Sequence, residues 1–209
     1  VVTVLISKND EPKVYEYTKI LLEKESFPLG SSVALVDNWA QGLEDCKTEY
    51  VCFVEPDCLV SSGYFSSLAG LVKSNPKYTK LAMLSSATAV KYWPNRFFGY
   101  EYDGCKLAPV KNKKSNSFYR VRVGYAPGAL IRTSIIKEVV KKNKNILDDF
   151  DLVKMSVGLS LAFWSRGDGC PVYVNPITTY VTNCEDVGVD NEIKREFADL
   201  VKMFERELI

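Results

Sequence analysis

The stretch Tyr50-Val-Cys-Phe-Val-Glu55-Pro-Asp57 carries the most chemistry in this sequence of 209 residues. Five apolar residues, enough for a strand buried on both faces, stop abruptly at two carboxylates one residue apart. Open α/β sheets bind ligands just beyond the carboxyl ends of their strands. Carboxylates at i and i+2 there can reach one hard cation, and such a cation can bridge two phosphates of a nucleotide. A solvated turn has the same composition, so Glu55 and Asp57 are either metal ligands or turn residues. Asp37 and Asn38 follow the apolar run 32–36 in the same way. Asp37 either accepts hydrogen bonds from a nucleobase or ribose or caps the helix that begins at Trp39. Ile6 and Ser7 end the first apolar run beside them.

The sequence holds no histidine, which removes Ser-His-Asp and Cys-His nucleophile pairs, His-ligated zinc and a His general base. Proton transfer falls to carboxylates, Lys, Tyr or Cys, or to a metal held by oxygen. No GxGxxG follows the first apolar run and no GxxxxGK[ST] occurs, so dinucleotide and P-loop sites are unsupported. Lys and Arg number 27 against 26 Asp and Glu, a balance that argues against nucleic-acid binding. The six cysteines form no CxxC pair and read as reduced core residues of a cytoplasmic protein. No apolar run approaches the roughly 20 residues that span a bilayer, so no membrane insertion is expected. A start at Val1 fits a processed protein or a domain of a longer chain.

The elements that must position these residues alternate. Residues 1–7, 32–36, 50–54 and 80–84 read as strands. Between them, residues 11–24 read as a helix with Val14, Tyr17, Ile20 and Leu21 on one face, 39–46 as a short helix, and 62–73 as a helix facing inward with Phe65, Leu68 and Val72. That pattern predicts a Rossmann-like half over 1–86, with a mostly parallel sheet. The half from 87 to 209 is less regular, with long loops over 87–116. Strands are expected at 119–123, 129–132 and 171–174, helices at 134–142 and 151–165, and a terminal helix from 191. The whole reads as a single domain, 46% hydrophobic and 25% charged.

Several short motifs follow one another in a definite order: Val33-Ala-Leu-Val-Asp37-Asn38, Cys46-Lys-Thr-Glu-Tyr50, Glu55-Pro-Asp57, Ala126-Pro-Gly128-Ala-Leu-Ile-Arg132, Asp148-Asp149-Phe-Asp151-Leu152, and Val172-Tyr-Val-Asn-Pro176. Over residues 1–182 this ordered set resembles the GT-A glycosyltransferases, above all the inverting family 2, with Glu55-Pro-Asp57 where that family has Asp-x-Asp. The resemblance implies the GT-A α/β fold, in which helices flank a mixed, mostly parallel central sheet, and transfer of a hexose, glucose or rhamnose, from a UDP-sugar to a glycan or glycoprotein hydroxyl. It implies that Asp37 and the Ile6-Ser7 backbone hold the uracil or ribose. Glu55 would bond the ribose or a metal-bound water, and Asp57 would ligate Mn2+ or Mg2+ across the diphosphate. Asp149 would be the catalytic base, with Asp151 as second choice. Where the family often has a further His ligand, this sequence has Tyr180-Val-Thr182. Within the family the sequence is most similar to small domains encoded by chlorella viruses, which implies work on capsid-protein glycans in host-cell cytoplasm.

Trp93 and Arg96 lie in an aromatic stretch that can form an acceptor platform, since sugars stack on aromatic rings, or serve as core or lid. Two competing classes stand beside the transferase: a nucleotide-sugar-binding module that has lost catalysis, and a sugar-nucleotide pyrophosphorylase. The second needs a Gly-rich basic loop after the first strand, where Ile6-Ser-Lys-Asn-Asp10 offers one Lys and no Gly.

Overall fold

The apolar runs VTVLIS, SVALV and YVCFV form strands β1 (Val2–Ser7), β2 (Ser32–Val36) and β3 (Tyr50–Val54) in a computed structural model of the chain. The structure describes residues 1–25, 27–74, 81–90, 96–102, 107–110, 119–147, 152–166 and 172–182. β1 lies between β2 and β3 and runs parallel to both, with Ser7 opposite Val36 and Ile6 opposite Val54. This register brings the residues that follow the three strands out of one edge side by side. Helices α1 (Pro12–Glu23) and α2 (Trp39–Asp45) make the crossovers that parallel pairing requires.

The chain continues through β4 (Leu59–Val60), α3 (Tyr64–Ser74) and β5 (Met83–Val90). After the short strands β6 (Arg96–Phe97), β7 (Tyr100–Tyr102), β8 (Leu107–Pro109) and β9 (Tyr119–Val121) come β10 (Leu130–Arg132), α4 (Thr133–Lys142), α5 (Leu152–Ser165) and β11 (Val172–Thr182). The main sheet has the order β2-β1-β3-β10-β5-β11-β4, with β6 added to β5 and β9 to β11. Its five longest strands, β1, β2, β3, β5 and β11, run one way, because β10 is antiparallel to both β3 and β5 and β11 is parallel to β5. β7 and β8 pair as a separate ribbon.

Each strand alternates between two cores. Val2, Val4 and Ile6 pack with Leu22 of α1 and with Phe65, Leu68 and Val72 of α3. Leu5, Val51 and Phe53 pack on the other face with Leu43 of α2, Ile136 and Val139 of α4, and Leu159 and Phe163 of α5. Helices thus cover both faces of the sheet, as its continuously apolar strands demand.

Three expectations need correction. α1 does not face inward with Tyr17 and Ile20, which are 61% and 47% exposed; its buried positions are Thr18 and Leu22, with Tyr15 half-buried beside them. The reason is polar: the Thr18 hydroxyl donates to the Pro56 carbonyl, which turns the helix by one position from its most apolar stripe. The fourth long strand starts at Met83 rather than residue 80 and runs on to Val90, so part of the expected loop is sheet; β6, β7 and β8 occupy more of it. The strand expected to end at Val174 continues to Thr182. A register shift between Asn175 and Thr179 absorbs Pro176, which lacks the N–H that pairing uses. The Asn175 side chain secures that bulge, accepting from the Ile177 N–H at 3.0 Å and donating to the Thr178 hydroxyl at 3.0 Å.

Cys46, Cys52 and Cys58 are free and buried, and burial pushes the Cys52 and Cys58 thiols up, as inert core cysteines require. Cys105, Cys170, Cys184 and the tail from 191 lie outside the described residues. Among the described residues no helix is long and apolar enough to cross a membrane.

Candidate functional site

The register of β1, β2 and β3 places Ser7, Asp37 and Glu55 on one edge, and a cavity of about 440 Å3 opens there. Ser7, Lys8, Asp37, Asn38, Trp39, Glu55, Pro56 and Asp57 line it from the strand ends, and Leu147 and Leu152 close it from across. Ile6 is wholly buried and sits one residue below.

Asn38, rather than Asp37, caps α2: its side-chain oxygen accepts from the Gln41 N–H at 2.8 Å. Asp37 is exposed and accepts from the Lys8 ammonium at 2.9 Å, a contact that raises the Lys8 pKa. An exposed pair of this kind adds little to stability, so it yields readily to a ligand. Trp39 follows the cap and packs against Phe53, ring centroids 5.5 Å apart. Its indole N–H is buried and has no acceptor among the described residues.

The two acids after β3 diverge. Glu55, 6% exposed, turns inward. The Tyr180 hydroxyl donates to its Oε2 at 2.9 Å and the Thr182 hydroxyl to its Oε1 at 2.7 Å. Expected as a ligand, Glu55 instead has both carboxylate oxygens engaged inside the fold. Asp57 is half-buried and lines the cavity at the far side of the turn. The turn is pinned by the Cys58 N–H, which donates to the Glu55 carbonyl, and by Thr18 of α1 on the Pro56 carbonyl.

Burial pushes the Glu55 carboxyl up to about 7, against the hydrogen bonds from Thr182 and Tyr180 and with a smaller push from Asp57. Because the folded protein holds this proton more tightly than the unfolded chain, stability is greatest below about pH 4.5 as far as this group is concerned, and falls as pH rises towards 7. The change is about 3 kcal/mol. Glu55→Gln, which cannot titrate, is expected to flatten that fall. Urea midpoints of both proteins between pH 4.5 and 7.5 check it, and parallel pH curves would refute the assignment.

Residues 124–128, which lead into β10, are held by side-chain hydroxyls. Ser160 accepts from the Gly124 N–H at 3.2 Å, Ser156 from the Ala126 N–H at 2.9 Å, Ser85 donates to the Tyr125 carbonyl at 2.9 Å, and Tyr64 to the Gly128 carbonyl at 2.7 Å. The Gly128 N–H donates to the Phe53 carbonyl at 2.7 Å, which ties the segment to β3 just before Glu55.

Asp149, Asp151 and Trp93 lie outside the described residues. Leu147 and Leu152, which bracket the two acids in sequence, both line the cavity. Arg96 opens β6 opposite Ala89. Sequence reasoning missed Lys8, Trp39, Thr18 and the engagement of Glu55 by Tyr180 and Thr182. The last had a signal, since residues two apart on a strand share a face.

A sheet in which β10 is inserted antiparallel between β3 and β5, with helices on both faces and a cleft at the ends of β1 to β3, defines the GT-A fold. Similar solved structures carry it: GalNAc-T7, crystallised with UDP, GalNAc and Mn2+, matches with a TM-score of 0.62 at 10% identity over 99% of this chain. S. aureus TarS matches with a TM-score of 0.57 at 12% identity over 99% of this chain, as does its fragment 1-349 in complex with UDP-GlcNAc. The chain spans 49% of that GalNAc-T7 chain, 39% of the TarS chain and 66% of the TarS fragment. No family model matches the sequence, and no curated protein matches it. The viral resemblance draws no support from these neighbours.

Proposed function

We propose that this chain is a glycosyltransferase that moves a hexose from a UDP-sugar to a hydroxyl of a glycan or glycoprotein. The observation that carries this reading is the convergence of Ser7, Asp37 and Asp57 on one cavity at the strand ends of a GT-A sheet. UDP, GalNAc and Mn2+ in the GalNAc-T7 crystal and UDP-GlcNAc in the TarS complex support a UDP-sugar donor.

Asp37 and the Ile6-Ser7 backbone accept and donate hydrogen bonds to the uracil or ribose. Among the described residues no three His, Cys, Asp or Glu side chains form a metal cage. The donor set fits a hard divalent ion, Mn2+ or Mg2+, all the same, since such ions commonly take one or two carboxylates and complete their shell with substrate phosphates and water. Asp57 would hold it, and the ion would supply positive charge against the departing diphosphate. Asp149 takes the proton of the acceptor hydroxyl from the face opposite the leaving group, giving inversion, with Asp151 as the alternative base. Trp93 and Arg96 contact the acceptor. Glucose or rhamnose as donor sugar, and capsid-protein glycans as acceptor, rest on the sequence resemblance alone.

Thermal melts with UDP, GDP, CMP and ATP, each with and without Mn2+, test the donor site. A Mn2+-dependent rise selective for UDP is expected, equivalent to about 2.7 kcal/mol at a hundred times Kd; no shift with any nucleotide would remove the reading. Asp149→Asn is expected to keep that rise and lower turnover about a hundredfold. Full turnover in both Asp149→Asn and Asp151→Asn would move the base elsewhere.

A further inference from the structure

Glu55 occupies the first position of the acidic pair, yet its side chain belongs to the interior. Tyr180 and Thr182 are both fully buried, and they engage one carboxylate oxygen each. The Glu55 N–H donates to the Tyr180 hydroxyl at 3.2 Å, so Tyr180 grips backbone and side chain of the same residue. The Tyr125 hydroxyl in turn donates to the Thr182 oxygen at 3.3 Å, which orients the Thr182 proton towards Glu55. With each oxygen engaged from a different position on β11, the carboxylate plane is fixed, and with it the direction in which the chain leaves β3. Two residues on, Asp57 sits on a turn whose other anchors are the Glu55 and Pro56 carbonyls.

Neither Tyr180 nor Thr182 lines the cavity. We propose that these two residues are positioning residues for the donor site: they hold Glu55 inward as a strut, so that the Pro56-Asp57 turn presents Asp57 alone to the donor's diphosphate. This rests on the UDP-sugar reading and deepens it by reducing the acidic pair to one liganding carboxylate. The bulge at 175–179 is part of the device, because it lets β11 pass Pro176 and still deliver Tyr180 and Thr182 beside Glu55. Electrostatic sites are sensitive to such support, and a misplacement of about 1 Å can cost a hundredfold.

The test measures UDP affinity of the full chain by calorimetry, with Mn2+ and with EDTA, well below each protein's melting temperature. Thr182→Val, Tyr180→Phe and Glu55→Gln are each expected to weaken Mn2+-dependent UDP binding about tenfold and to leave binding in EDTA unchanged. Thr182→Val with Glu55→Gln is expected to be no worse than Glu55→Gln alone, since the groups act as one unit. Thr182→Ser keeps the oxygen and is expected to bind like the wild type. It folds more readily than the Val variant and keeps the proposal open to refutation should that variant not fold. Loss in Glu55→Gln with Thr182→Val and Tyr180→Phe within twofold of wild type would make Glu55 a direct ligand and overturn the proposal. So would a loss in Thr182→Ser equal to that in Thr182→Val. A wild-type protein that binds no UDP with Mn2+ overturns the donor-site reading itself, an outcome distinct from both.

Discussion

Asp57→Ala is expected to fold like the wild type, to lose the Mn2+-dependent part of its UDP affinity, and to turn over roughly 10²–10³ times more slowly. The fold should survive because the turn is held by contacts that do not involve this side chain: the Cys58 N–H on the Glu55 carbonyl, Thr18 on Pro56, and Tyr180 and Thr182 on Glu55. Removing the charge also takes away one of the influences that raise the Glu55 carboxyl. Catalysis has no such cover. Charge grows on the departing diphosphate, and a prearranged electrostatic partner there typically contributes about 3 to 4 kcal/mol to the barrier. UDP-sugar hydrolysis assayed beside thermal melts separates the two effects. A folded Asp57→Ala protein with unchanged rate would leave the proposed function without its centre.

Gly128→Ala should produce the largest loss of stability. Gly128 has φ +75°, a conformation that costs an L side chain about 1–2 kcal/mol. An added Cβ would lie 2.3 Å from Cδ2 and 2.7 Å from Cγ of the Tyr180 ring. That ring cannot move aside: Tyr180 is fully buried and its hydroxyl is bonded to Glu55. Overpacking of this kind costs about 1–3 kcal/mol more, so the total is about 2–5 kcal/mol, a sizeable part of the 5–15 kcal/mol that holds a typical domain together. A fall in Tm of about 10 °C is expected. Gly70 in α3 has nothing within 4 Å of its added Cβ, and Gly70→Ala should stabilise by about 0.5–1 kcal/mol. Equal melting temperatures for the two variants would refute the packing argument.

The first sheet half was legible because local pattern and burial agree there. YVCFV is apolar at every position and lies in the middle of the sheet, and Phe65, Leu68 and Val72 keep helical spacing on a face that is buried. α1 was misread because a tertiary hydrogen bond from Thr18 outweighed its apolar stripe. The extension of β11 was missed because Asn-Pro inside a strand reads as its end, and only pairing with β5 on both sides of the bulge carries it through. The positions of Ser7, Asp37 and Glu55 followed from strand ends alone. The inward turn of Glu55 did not, since it depends on residues more than a hundred positions away in sequence.

The insertion of β10 between β3 and β5 also bears on how the chain comes to be folded at all. β3 receives its second neighbour only when Ile131 pairs with Val51 and Arg132 with Tyr50. A nascent chain on the ribosome therefore carries β3, wholly apolar, as a raw edge until residue 130 has emerged. During that interval β5, or the same edge of another copy, can take the vacant place. Synthesis from amino to carboxyl end thus runs against the order in which this sheet can be closed, and that interval is when the β3 edge is open to mispairing.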